Sequence, residues 1–251
     1  MHLLHIEVSG LTASFRVPHM YKYHRSLPLP SYTTIVGIFG AAIGKDMQTS
    51  QELFKYFNLK VGVAGASMSR YNDTWRVLTT KNSERDVIER ETLFKPKYHI
   101  IFYGEKKIIQ LCEKSFKSPI YPISLGRPED IANIAVHDII EQEPEELEVL
   151  RNTVISGMPA LQVEDTLFNI EDPTDPGPCI MLYRLPVNFK FKDGFSYERT
   201  ADDYRDFTFI GNNEVKVENC VQGFRVVFEN ESNDKIDFFS KGSLNIPLLE
   251  I

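Results

Sequence analysis

The chain has 251 residues, 42% of them hydrophobic and 25% charged, with a net charge of −7, an ordinary globular composition with room for one large domain or two small ones. Its three cysteines, Cys112, Cys179 and Cys220, stand far apart without a C-x-x-C pair, which points away from a disulfide framework or zinc site and towards a reducing, cytoplasmic setting. The longest apolar run, Ile35 to Ile43, falls well short of the roughly 20 residues a membrane span requires, and the opening "MHLLHIEVSG" has no basic leader; neither a membrane nor export is expected.

In chain order, "HLLHIEVSG" sets Leu4, Ile6 and Val8 against Leu3, His5 and Glu7 and stops at Gly10, which predicts a strand. After a basic loop, Ser31 is the expected N-cap of a helix from Tyr32 to about Ile43, ended by Gly44. That helix is apolar nearly all round and should be buried, with Gly37, Gly40 and Gly44 allowing close approach of a neighbour. "LKVGVAGASMSRY" and "TWRVLTT" read as paired strands around a turn at Asn72-Asp73. The charged stretch Lys81 to Lys97 reads as a projecting hairpin or loop before the strand "YHIIFYG". "EKKIIQLCEKSF" has helical periodicity, with Ile108, Ile109, Leu111, Cys112 and Phe116 on one stripe, and "PIYPISLGRPEDIANIAVHDIIE" resumes extended sequence. This strand, helix, strand, strand, helix, strand order predicts an α+β, ferredoxin-like sheet with helices on one face and the other face available. Beyond the acidic "EQEPEELE" and the proline-rich "EDPTDPGPC", the remaining strands predict a β-rich C-terminal subdomain, which places a division at 142/143.

Charge is unevenly spread. Residues 1–127 hold 18 Lys and Arg against 10 Asp and Glu, the rest 10 against 25, so the N-terminal part is the one expected to meet an anion. No acidic residue lies between Val8 and Lys45, while Arg16, Lys22 and Arg25 alternate with Phe15, His19, Tyr21, Tyr23 and His24. Cations interleaved with aromatics suit single-stranded nucleic acid, because guanidinium and ammonium groups meet phosphates while rings stack on bases. The following helix start, with the hydroxyls of Ser31, Thr33 and Thr34, could hold a phosphate oxygen. Pro28 and Pro30 stiffen the join between loop and helix. A solvated surface loop with an ordinary cap is the plainer alternative.

"SGLTASFRVP…YHRSLPLPSYTTIVGIFGAAIG" resembles the N-terminal signature of the fifth CRISPR-associated (Cas five) family, RAMP superfamily proteins of type I Cascade complexes. "YPISLGRPEDIANI" resembles the family's later Leu-Gly-Arg element. The resemblance implies a ferredoxin-like (RRM/RAMP) domain over 1–142 with a thumb insert at about 81–97, and a smaller β-rich part over 143–251. It implies an antiviral-defence role without catalysis: binding the 5′ handle of the crRNA, capping the filament of Cascade backbone subunits and touching the large subunit. Contact with target DNA near the flanking motif stays open. By motif position the RNA-binding residues would be Arg16, Lys22, Tyr23, His24, Arg25, Ser31, Thr33 and Thr34, with Gly126 and Arg127 near the sheet and Lys81, Arg85, Arg90 and Lys97 on the thumb. Neighbouring Glu84, Asp86, Glu89 and Glu91 nearly cancel the thumb charge, so a solvated hairpin is an equal alternative there.

Two other functions stay in view. One branch of the resembled family cleaves repeat RNA without metal, using Tyr, Lys and His; Tyr23, His24, Lys97 and His99 are the available types, at a spacing that fits no motif. The other is a structural adaptor whose acidic C-terminal part docks a basic partner. No cofactor or metal is expected: the histidines form no H-x-x-x-H set, and the "GIFGAAIG" glycines lie inside the helix instead of ahead of it, where phosphate cradling would need them.

Overall fold

A computed structural model of the chain describes residues 1–18, 20, 23–78, 85–163, 180–192, 195–228 and 242–251. The chain runs through β1 (His2–Gly10), β2 (Thr12–Ala13), β3 (Phe15–Arg16), β4 (Tyr23–His24), β5 (Ser26–Leu27), α1 (Tyr32–Ile43), α2 (Met47–Tyr56), β6 (Lys60–Leu78), β7 (Arg85–Gly104) and α3 (Lys106–Lys117). There follow β8 (Ala132–Val136), β9 (Ile140–Glu141), β10 (Glu145–Leu150), β11 (Thr153–Ser156), β12 (Leu161–Val163), β13 (Ile180–Pro186), β14 (Phe189–Lys192), β15 (Phe195–Ala201), β16 (Tyr204–Ile210), β17 (Val215–Phe228) and β18 (Gly242–Pro247). The described residues are thus mixed α/β, mostly strand with three helices.

The largest sheet has the order β13-β16-β11-β6-β7-β1-β8, all antiparallel along that path. Its centre follows from the alternation in β1. Leu4, Ile6 and Val8 share one core with Ile35, Val36 and Phe39 of α1 and Ile108, Ile109, Cys112 and Phe116 of α3. Each such fully buried apolar side chain contributes about 1.5–3 kcal/mol relative to exposure. α1 begins and ends where its sequence dictates: Ser31 is extended and its hydroxyl accepts from the Thr34 amide, and Gly44 closes the helix at φ 69°.

Several expectations are corrected. The second sheet face is not open: Leu3, Ile101 and Tyr103 lie beneath Phe224, Leu244 and Ile246 of β17 and β18. The apolar residues on alternate positions of β1 and β7 demand that cover. No turn occurs at Asn72-Asp73. β6 runs straight through, with Asn72 opposite Glu91 and Asp73 opposite Arg90, since a ribbon wet on its outer part needs no apolar alternation. The charged stretch is accordingly one arm of a long β6/β7 ribbon and continuous with "YHIIFYG"; residues 79–84 lie outside those described. α2 is a helix the periodicity did not announce, capped by Asp46, whose carboxylate accepts from the Thr49 amide at 2.8 Å. Leu111 of α3 faces outwards. "VKVENCVQGFRVVF" forms one long strand, β17.

Gly37 is also corrected. A Cβ there would meet nothing within 4 Å, whereas one on Gly40 would run into the Ser50 hydroxyl. The close approach therefore occurs between Gly40 of α1 and Ser50 of α2, and Gly37 borders open space. Strands from both sides of residue 142 share the large sheet: β11, β13 and β16 continue it beyond β6. The connector "EDPTDPGPC" lies outside the described residues.

Candidate nucleic-acid interface

The basic loop is pinned at both ends. Phe15, Leu27 and Leu29 enter the main core, and β3 pairs with β5. The Phe15 amide donates to Ser26 Oγ at 2.9 Å, and the Ser26 amide donates to Glu91 Oε2 of β7, also at 2.9 Å. The Tyr98 hydroxyl of β7 donates to the Pro28 carbonyl at 3.2 Å. Burial drives the Tyr98 phenol well above its ordinary pKa, which keeps the donor protonated. Between these ties the loop turns outwards, exposing Arg16, Tyr23 and Arg25. Arg16 Nη2 donates to the Met20 carbonyl at 3.3 Å. His19, Tyr21 and Lys22 lie outside the described residues.

The candidate residues divide between two grooves. The first, about 810 Å³, gathers Tyr23, His24 and Arg25 with Arg70, Glu89 and Glu91 of the ribbon and Met181 and Tyr183 of β13. Arg70 Nη1 lies 3.3 Å from Glu91 Oε1. Two arginines therefore face two glutamates across an aromatic and thioether lining. The second groove, about 330 Å³, gathers Thr33, Thr34 and Gly37 of α1 with Ser124, Gly126 and Arg199. Ser31 itself is occupied: its hydroxyl lies 3.2 Å from Thr33 Oγ1 and 2.9 Å from Thr34 Oγ1, besides capping the Thr34 amide. Gly126 holds φ 107°, and a Cβ there would collide with the Ser14 carbonyl, so only glycine lets the chain approach the loop this closely.

Arg127 faces the protein. Its Nε donates to Asp130 Oδ2 at 3.0 Å and its Nη2 to Thr92 Oγ1 at 3.2 Å, while Thr12 Oγ1 donates to the other oxygen of the fully buried Asp130. This arginine ties the Leu-Gly-Arg segment to β7 and β2. On the ribbon, the Arg90 guanidinium lies 4.4 Å above the Trp75 ring, and Lys97 Nζ lies 3.3 Å from Glu7 Oε1. Lys81 and the Arg85 side chain fall outside the described residues.

The cleavage candidates do not converge. β4 places Tyr23 and His24 beside Glu89 and Arg90, whereas His99 lies nine residues further along β7, about 30 Å at 3.3 Å per residue. His99 is fully buried, its Nδ1 3.0 Å from His5 Nε2, and His137 stacks on His5 at 4.3 Å. Burial, followed by the neighbouring imidazole charges on His5 and by Lys97 and His137 on His99, pushes both pKa values down to about 3. Among the described residues no group of three or more His, Cys, Asp or Glu could hold a metal ion, and no helix is long and apolar enough to cross a membrane.

The sequence profile of the family described as CRISPR-associated protein (Cas_Cas5) matches residues 3–175. The chain belongs to this Cas5 family. No curated protein matches it at the sequence level. Among solved structures, the Cas5 chain is similar to a chain of a CRISPR RNA-guided surveillance complex, at 16% identity over 86% of this chain and 91% of that one, with a TM-score of 0.49. It is similar to a CRISPR protein from Archaeoglobus fulgidus at 13% identity over 98% and 99%, TM-score 0.48. A Cas protein shares 22% identity over 51% of this chain, TM-score 0.35; the match spans 58% of that protein's length.

All the residues singled out in the sequence fall inside the family match; Arg199, which borders the second groove, lies beyond it. Arg199 sits in "SYERTADDYRDF", among four carboxylates, and this acidic surrounding hid it. Arg70 carries no local signal: it lies near the end of "LKVGVAGASMSRY" and meets Glu91 only across the β6/β7 pairing.

Proposed function

We propose that this Cas5 chain is a non-catalytic, cytoplasmic subunit of a type I Cascade complex that grips the 5′ handle of the crRNA, caps the backbone filament and meets the large subunit. The observation that carries this reading is the loop pinned to β7 at Ser26 and Pro28, which presents Tyr23 and Arg25 to one groove and leads into α1, whose Thr33 and Thr34 border the other. Rings and a guanidinium held on a rigid mount suit a single strand, because the ordering cost is met on folding instead of on binding. The ferredoxin-like description is supported by the neighbour order β8-β1-β7-β6, with α1 between β1 and β6 and α3 between β7 and β8 in the chain. In this reading 1–142 form the RAMP domain, the β6/β7 ribbon is its thumb, and 143–251 add the β-rich remainder. Target sequence would be read by guide base pairing, with the protein reading shape and phosphate.

The test is binding of the purified chain to its repeat RNA in EDTA across a salt series. A grip on about three to five phosphates gives a log–log slope of roughly −2 to −3.5, from −0.7 per contact for single strands. Clean metal-free cleavage products would transfer the assignment to an endoribonuclease; absence of RNA binding would transfer it to a structural adaptor.

A further inference from the structure

Among the described residues the second groove has one cation, Arg199, and several features act together to hold it there. We propose that Arg199 binds a phosphate of the RNA in this groove and that Gln51 is its positioning residue; the inference rests on the RNA-binding reading above.

Arg199 belongs to β15, which pairs with β14 so that Phe191 faces Arg199 and Phe189 faces Ala201. Its guanidinium lies 4.6 Å from the centre of the Phe189 ring. Contact with a ring face restrains the guanidinium while costing it none of its five N–H donors, and a guanidinium is the group that takes a phosphate in bidentate fashion. Among the described residues no carboxylate lies within ion-pair distance of Arg199, although its neighbours Glu198 and Asp202 are paired with Lys192 and Lys190. Among the described residues the acidic side chains beside Arg199 are thus held by the hairpin's own lysines instead of by the arginine.

The hairpin is in turn clamped to α2. Gln51 Nε2 donates to the Phe189 carbonyl at 3.2 Å, and the Phe189 amide donates to Gln51 Oε1 at 3.0 Å. This side-chain amide satisfies both backbone groups of the residue on which Arg199 stacks. α2 is itself registered on α1 by the close contact of Ser50 with Gly40 and by Phe54 in the core. The position of Arg199 relative to Thr33 and Thr34 is therefore fixed through Gly40, Ser50, Gln51 and Phe189. At about 330 Å³ the groove lies at the small end of ligand sites, which suits one nucleotide's phosphate and sugar and not an extended strand. The Thr33 and Thr34 hydroxyls and Ser124 supply polar partners beside the cation.

The experiment compares the full chain with its Arg199→Ala, Arg199→Lys, Gln51→Ala and Arg199→Ala/Gln51→Ala variants for repeat-RNA affinity across the same salt series. Arg199→Ala is expected to weaken binding on the order of tenfold, the scale of one charge-assisted contact, and to reduce the salt slope by about 0.7. Arg199→Lys keeps the slope and loses part of the affinity, because the charge remains and the fork does not. Gln51→Ala weakens binding less, and the double variant binds no worse than Arg199→Ala alone, because Gln51 acts through Arg199. Parallel RNAs with a 5′-phosphate and a 5′-hydroxyl distinguish a terminal phosphate from an internal phosphodiester: an Arg199 effect confined to the phosphorylated RNA assigns the terminal group. If Arg25→Ala weakens binding and Arg199→Ala leaves affinity and slope unchanged, the inference is wrong while the RNA reading stands. If the wild-type chain does not bind RNA, both are wrong.

Discussion

The two grooves are built from similar materials and balanced differently. The ribbon groove holds two arginines and two glutamates, with Arg70 already engaged by Glu91, around methionine and tyrosine side chains. The α1 groove is less than half as large and, among the described residues, is lined by a single arginine with hydroxyls and no acidic residue. Counting cations would rank the first above the second. Counting cations left unpaired among the described residues levels them at one each, Arg25 and Arg199, and it is the unpaired ones that exchange counterions for phosphate. In the RNA-binding reading proposed above, Glu89 and Glu91 leave the first groove to rings and bases, and the described lining of the second, which holds no acid, suits a phosphate.

The largest expected effect tests the wall that the second groove borrows from the loop. Gly126→Ala should cost about 3 kcal/mol in a denaturant melt, because a left-handed backbone and a blocked Cβ coincide there; a midpoint unchanged from wild type would remove the close contact with Ser14. Next is acid. His5 and His99 have folded pKa values of about 3 against an ordinary 6.5, so the unfolded chain binds more protons between these values. Stability should be fully present above pH 6.5 and decline towards pH 3, by about 1.4 kcal/mol per pH unit for each histidine that gains its proton only on unfolding. A flat stability profile from pH 7 to 4 would contradict this burial.

Gly37→Leu separates folding from binding. With open space beside Gly37, the variant should melt close to the wild type yet bind repeat RNA several-fold more weakly, because the leucine fills a groove of only about 330 Å³. A large drop in melting temperature with unchanged RNA affinity would mean the glycine faces a neighbour after all. The smallest effect sharpens the contrast in charge: Glu89→Gln should strengthen RNA binding by about two- to threefold, removing one like-charge neighbour of the strand at the ribbon groove, and Asp202→Asn, near the other groove but paired with Lys190, should change it less.

What the sequence revealed depended on how local the determinants were. α1 was legible to the residue because Ser31 and Gly44 mark its ends chemically, and β1 because its two faces differ. α2 was not, although Asp46 is a proper cap: "MQTSQELFKY" buries only Ser50 and Phe54, too few apolar positions to impose a period. The turn expected at Asn72-Asp73 came from residue preferences that a wet ribbon overrides by simple continuity of pairing. Cover on the second sheet face depends on β17 and β18, more than a hundred residues from the strands they cover, and no local pattern carries such a pairing. The same holds for the site. Tyr23, Arg25, Thr33 and Thr34 stand close together in the chain and were read together; for Arg127, Asp130 was in plain view three residues on, but its second partner, Thr92, meets it only when the Leu-Gly-Arg segment folds against β7. Arg199 needed a hairpin register and a clamp from a helix that had gone unnoticed.

β7 carries two attachments at once: its middle secures the loop through Glu91 and Tyr98, and its outer part forms the ribbon with β6. One strand thus serves both, with its regular backbone broken only at Lys95 (φ 45°), between the two residues that hold the mouth where Tyr23 and Arg25 stand. A change in the twist of the ribbon and a change in the footing of the loop are accordingly changes in the same backbone.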